Sequence, residues 1–184
     1  MTFEKQGPQN TDATLELAIA AARECGIHKL VVASSSGETA KKLAEKEHDG
    51  LQIICVGYAR GVFGKHEPKM SEEMRRTLEQ KGVIVYLASH ALSGAERGLS
   101  VKFGGFGPVE IAAHALRMIG RGVKVGVEIS MMAADAGLVE LHESVIAIAG
   151  TGTGADTAIE IRPAPTAEFL DCKVDRILCK PRHA

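Results

Sequence analysis

Three stretches carry residues whose types and spacing could do chemistry. The first is Ser34-Ser35-Ser36-Gly37-Glu38-Thr39, directly after the apolar run Leu30-Val31-Val32-Ala33. Hydroxyls, a glycine and the expected start of a helix gather free backbone N–H groups and a positive dipole end, which together cradle one phosphate. The plainer alternative is a capping box of Ser35 with Glu38, although three successive serines exceed what a cap requires. The second is Gly150-Thr151-Gly152-Thr153-Gly154-Ala155-Asp156-Thr157. Its glycines permit a concave nest of N–H groups, and a hairpin turn alone needs fewer of them. It is not a Walker A loop, since Lys is missing, nor a dinucleotide fingerprint, since no helix clearly follows. The third is the long Gly-rich stretch 89–107. His90, Arg97 and Lys102 could meet an anion or a carbonyl there, and Phe103 and Phe106 could flank a planar ring. Long ordered loops in compact domains are commonly functional. The alternative is a short helix over 92–97 and a connector, with Arg97 in a surface ion pair.

Other polar residues point less sharply. Glu128 and Asp135 are seven apart and could share a helix face, either for acid–base work or for capping and ion pairing. Arg60, Lys65 and His66 follow the second strand. Met118, Met131 and Met132 suit packing. No nucleophile–base–acid set stands out. The four cysteines show no CxxC spacing and the seven histidines are scattered, so neither a disulfide framework nor a zinc site is expected. Cys25 and Cys55 read as buried small apolar residues.

Alternating elements must position these loops. The pattern predicts helices over 11–24, 35–47, 71–81 and 108–120, with Ser71 and Pro108 as start signals. Strands are expected over 28–33, 51–56, 83–88 and 145–149, with 157–161 returning as a hairpin partner and a last strand over 176–179. Residues 123–136 fit either period, and helix is preferred. This predicts one α/β domain over 1–184, with a core about 10–165 and a C-terminal extension over 166–184. The fold class is a three-layer sandwich: a mostly parallel sheet, helices on both faces, and an antiparallel edge hairpin. Ligands of such sheets bind beyond the carboxyl ends of the strands.

Composition narrows the partners. Lys plus Arg is 22 and Asp plus Glu is 23, a net charge of −1, which does not suit duplex binding. Two Tyr, five Phe and no Trp make a base-stacking platform a poor expectation. No apolar stretch approaches the ~18 residues of a membrane span, and the polar residues 1–10 do not read as a signal peptide. The expected setting is therefore cytoplasmic, without nucleic acid or membrane partners. The apolar-rich segment 118–141 is expected to carry a homo-oligomer interface.

The same residues resemble a known family. Residues 34–39 resemble the phosphate loop of the pyruvate kinase C-terminal domain, and 143–163 resemble its closing hairpin. Nearly the whole chain is similar to small stand-alone pyruvate kinase C-terminal-domain-like proteins. The carrying segments are Val31-Val32-Ala33-Ser34, Ser89-His90-Ala91-Leu92-Ser93-Gly94, Lys102-Phe103-Gly104-Gly105, Met132-Ala133-Ala134-Asp135-Ala136-Gly137 and Gly154-Ala155-Asp156-Thr157-Ala158. The resemblance implies the fold and, as ligand, flavin mononucleotide (FMN). Two departures matter. These 184 residues have no room for a catalytic barrel beside this domain, so pyruvate kinase activity is not expected. The turn over 150–156 also lacks the Trp and the basic residue of the kinase's sugar-phosphate turn, which favours a ligand with one phosphate.

Loop chemistry and resemblance together assign phosphate to Ser34, Ser35, Ser36, Gly37 and Thr39. They bring His90, Ser93, Arg97, Gly104, Gly105, Gly150, Thr151, Asp156 and Thr157 to the flavin, with no metal. Two rivals follow from the same residues. One is a non-catalytic sensor of a phosphorylated metabolite; the other is a phosphate-ester hydrolase or isomerase with His90 as base.

Overall fold

A computed structural model describes residues 1–48, 50–59 and 68–182, so Arg60, Lys65 and His66 lie outside the described residues. The order is β1 (Thr2–Phe3), α1 (Thr11–Cys25), β2 (Lys29–Ala33), α2 (Glu38–Glu45), β3 (Gln52–Tyr58), α3 (Glu72–Gln80), β4 (Ile84–Ala88), α4 (Ala95–Phe103), α5 (Pro108–Ile119), α6 (Arg121–Asp135), β5 (Val145–Ala149), β6 (Thr157–Arg162) and β7 (Lys173–Pro181).

The strands form one sheet in the order β1-β7-β6-β5-β2-β3-β4. β5, β2, β3 and β4 are parallel neighbours, and β6 pairs antiparallel with both β5 and β7. The α/β class with a mostly parallel sheet is as expected. The hairpin is not its edge, however, because β7 adds along β6 and β1 pairs parallel with β7. The 166–184 segment thus contributes a nine-residue strand to the sheet, with Cys179 in the core.

Period-2 alternation sorts the central strands between two cores. Leu30, Val32, Ile146 and Ile148 face a core shared with Leu15, Ala18, Ile19 and Ala22 of α1. Val31, Val145 and Ala147 face the other, with Val123, Val127 and Met131 of α6. α1 shows the helical spacing that requires this, and Gly26 ends it in the left-handed region at φ 64°. Ser71 Oγ accepts from Met74 N at 3.1 Å, the expected cap of α3.

Residues 123–130 are helical, although Val123, Val125, Val127 and Ile129 alternate like a strand. Packing decides this. Gly122 and Gly126 let α6 press against β6, so that a Cβ on Gly122 would stand 2.1 Å from Thr157 Oγ1. Most of 122–133 is therefore buried against the protein's own sheet, while Met118 and Leu141 stay exposed. Cys25, expected to be buried, is exposed; Cys55 and Cys179 are buried. Among the described residues, no helix is long and apolar enough to cross a membrane.

Candidate functional site

The chain runs from β2 outward through β3 to β4, then returns to place β5 on the other side of β2. Loops leaving β2 and β5 therefore diverge, and a crevice opens between them at the carboxyl ends of the strands. A cleft of about 1210 Å³ lies there. Ser34 and Ser35 from the β2 end and Gly150, Thr151, Gly152 and Gly154 from the β5 end line it. The end of β3 with Tyr58, the segment after β4 and the helices α4, α5 and α6 form the rest of the wall.

Of the sequence-predicted residues, Ser34, Ser35, His90, Ser93, Arg97, Gly105, Gly150 and Thr151 line this cleft. Ser36, Gly37, Thr39, Gly104, Asp156 and Thr157 do not. The Ser35–Glu38 capping box is absent: Gly37 is the N-cap of α2, and Ser34 Oγ accepts from Ala40 N at 3.4 Å. Gly37, at φ +92°, leaves room for Met74 of α3, whose Cγ would stand 2.3 Å from a Cβ. Its glycine is thus explained by helix packing and backbone geometry.

Asp156 is fully buried and works inside the turn. Its Oδ2 accepts from Gly7 N at 3.1 Å and Thr151 N at 3.3 Å, and Oδ1 accepts from Thr157 Oγ1 at 2.9 Å. It ties the N-terminal segment to the Gly-rich turn. The turn closes tightly on that segment, for a Cβ on Gly154 would stand 2.5 Å from Thr11 Oγ1. Thr151 Oγ1 is buried with no hydrogen-bond partner among the described residues.

The stretch 89–107 is not one long loop, since α4 occupies Ala95–Phe103. Both carboxylate oxygens of Glu96 accept from the start of α5, at Val109 N and Glu110 N, which fixes α4 against α5. Phe106 lines the cleft; Phe103 is 74% exposed and Lys102 Nζ lies 5.3 Å over its own neighbour's ring. Neither Phe103 nor Lys102 reaches the cleft wall.

The cleft's charge comes largely from residues that sequence reading missed. Arg117, Arg121 and Lys124 join Arg97, against the carboxylates Glu110 and Glu128. Lys124 and Glu128 form a buried pair: Lys124 Nζ donates to Glu128 Oε2 at 2.5 Å, and Leu92 N donates to Glu128 Oε1 at 2.8 Å. Burial holds the Lys124 ammonium below its ordinary pKa, with Glu128 opposing the shift. The Tyr58 and His90 rings meet in the cleft lining, tilted by 47° with their centres 4.5 Å apart. Burial also holds His90 below its ordinary value, and holds the Tyr58 hydroxyl above its own with help from Glu128. A visible signal existed for the pair, because Lys124 and Glu128 sit four apart within an apolar helix. Asp135, read as Glu128's companion, instead accepts from Thr166 N at 2.9 Å and lines a smaller pocket of about 390 Å³. His90 lines both cavities. Among the described residues no cluster could hold a metal ion.

The sequence profile of the family described as pyruvate kinase, alpha/beta domain, matches residues 12–160. Solved structures similar to the chain include a pyruvate kinase from Cryptosporidium parvum, 15% identical with a TM-score of 0.45, covering 84% of this chain and 23% of that one. Cryptosporidium parvum pyruvate kinase in complex with ADP gives 15% identity and a TM-score of 0.45, covering 84% and 24%. The chain thus spans about a quarter of the length of these kinases. By the profile match, the chain belongs to the pyruvate kinase alpha/beta domain family.

Proposed function

We propose that the cleft binds a small ligand bearing one phosphate and a planar ring, and that this ligand is FMN. The observation that carries the reading is the meeting of Ser34 and Ser35 with the 150–154 turn, at the divergence of β2 and β5. Open α/β sheets bind phosphorylated ligands at such a divergence. The residues present fit the group. Thr151 Oγ1 is a buried hydroxyl without a hydrogen-bond partner among the described residues, and the basic Arg97, Arg117, Arg121 and Lys124 line the cleft with the carboxylates Glu110 and Glu128. Tyr58, His90 and Phe106 supply ring faces. The cleft, at about 1210 Å³, is larger than the about 300–1,000 Å³ usual for small-molecule sites, so it has room for a flavin.

In this reading Ser34 and Ser35, between the end of β2 and the start of α2, hold the phosphate, with the Gly150 and Thr151 backbone beside it. Tyr58, His90 and Phe106 flank the ring, and Arg97 and Arg121 balance negative charge. FMN, when bound, supplies hydride or single-electron chemistry, and the protein supplies position and electrostatics. The reading includes no pyruvate kinase activity for these residues and places the protein in the cytoplasm.

The test is equilibrium titration with FMN and with riboflavin, followed by flavin fluorescence. The reading expects FMN to bind at least about tenfold more tightly, a gain of about 1.4 kcal/mol from the phosphate. It also expects Ser35→Ala to erase part of that preference. Equal affinity for the two flavins, or none for either, would overturn it.

A further inference from the structure

The cleft contains a charged pair that holding a flavin does not require. We propose that Lys124 is a reactive amine of this cleft, which forms an imine with a phosphorylated aldehyde or ketone, and that Glu128 carries its protons. The inference rests on the phosphate-binding reading of the cleft, and does not need FMN.

Lys124 lines the cleft with only 4% of its side chain exposed. An ammonium has three N–H donors. Glu128 Oε2 takes one, and no other acceptor among the described residues bonds the rest. A buried lysine with donors to spare, at the wall of a cavity, is placed to meet a ligand oxygen. Its partner is fixed in turn, since Leu92 N holds Glu128 Oε1 and leaves Oε2 to the amine. A buried ion pair is a poor device for stability, because desolvation of both ions offsets their attraction. The same desolvation favours the uncharged amine, and Arg117 and Arg97 act in the same direction. Buried lysines of this kind serve as nucleophiles.

The chemistry balances without an oxidant or reductant. Lys124 passes one proton to Glu128, and its lone pair adds to the carbonyl carbon. The carbonyl oxygen takes the proton from Glu128 and becomes a hydroxyl, while Glu128 recovers a proton from the new C–N centre. Glu128 then protonates the hydroxyl, which leaves as water, and a protonated imine to Lys124 remains. Arg117 and Arg121 on the same wall suit an anionic substrate. This names the substrate class as a small phosphorylated carbonyl compound.

The probe is pyridoxal 5′-phosphate, an aldehyde with one phosphate, incubated with the full chain and fixed by borohydride reduction. Peptide mapping then reads which lysines carry the adduct. Lys124 is expected to be modified at least tenfold faster than the exposed Lys42 and Lys81 and to saturate with probe. Excess inorganic phosphate should suppress its modification but not theirs. The double variant Lys124→Met with Glu128→Gln leaves no lone buried charge and should lose only the saturable adduct. Glu128→Gln alone should slow modification of Lys124 by tenfold or more. Lys124 left unmodified, or modified no faster than Lys42, would overturn the proposal. An unchanged rate in Glu128→Gln would overturn the role of Glu128. FMN binding with no Lys124 adduct sinks this inference alone. A saturable Lys124 adduct in a protein that binds no FMN sinks the flavin reading and sustains this one.

Discussion

Lys124 and Glu128 stand one helical turn apart on α6, and their charged ends meet at 2.5 Å with only 4% and 3% of the side chains exposed. The pair joins α6 to the segment after β4 through Leu92 N. Removing one partner strands the other charge in a low-dielectric wall, which costs about 3–5 kcal/mol, whereas replacing both by apolar residues of similar size is close to neutral. Glu128→Leu is therefore expected to lower stability by that amount, and Lys124→Met added to it to restore most of the loss. Urea unfolding of the two variants reads the difference.

Gly122 and Thr157 mark the closest approach of α6 to the sheet. A Cβ at Gly122 would sit 2.1 Å from Thr157 Oγ1 and 2.4 Å from Thr157 Cβ, and Thr157 is 1% exposed. Gly122→Ala is expected to destabilise by about 1–3 kcal/mol through overpacking, despite its better helix propensity. Thr157→Ala in the same chain should recover only a small part of this in urea unfolding, since it removes Oγ1 and Cγ2 but leaves the Cβ 2.4 Å away.

His90 is expected to make stability depend on pH. Burial lowers its pKa below the ordinary 6.5. In the window between its folded value and 6.5 the unfolded chain binds the extra proton, so stability falls as the pH falls through that window. His90→Gln should flatten this part of the stability–pH curve, as measured by urea unfolding at successive pH values. An NMR titration of the ring should show its midpoint below 6.5.

Thr151 should separate binding from folding. Its buried Oγ1 has no partner among the described residues, so Thr151→Val removes an unsatisfied hydroxyl and leaves stability unchanged or raised. If the hydroxyl meets the ligand, the same substitution lowers FMN affinity by about tenfold. Thermal unfolding and FMN titration of one variant give both readings.

The sheet was legible because its strands are short apolar runs between helices with helical spacing. Alternation pairs Leu30 with Val32 and Ile146 with Ile148, and the register of Leu30 opposite Ile146 puts the two pairs on one face. The place of β1 and the length of β7 were not legible, since two residues carry no period and β7 is largely exposed. At the cleft, the serine and glycine loops announced themselves by composition. The charged wall did not, because Arg117, Arg121 and Lys124 come from helices and meet the loops only through tertiary packing. Asp156 and Thr157 misled for a related reason: a buried carboxylate that satisfies its own turn looks in sequence like one that awaits a ligand.

The most direct test of the central claim is the visible absorption spectrum of the purified protein, with chromatography of what heat denaturation releases. The account predicts a flavin spectrum, directly or after addition of FMN, and release of FMN near one per chain. A colourless protein that takes up no FMN on titration would contradict it.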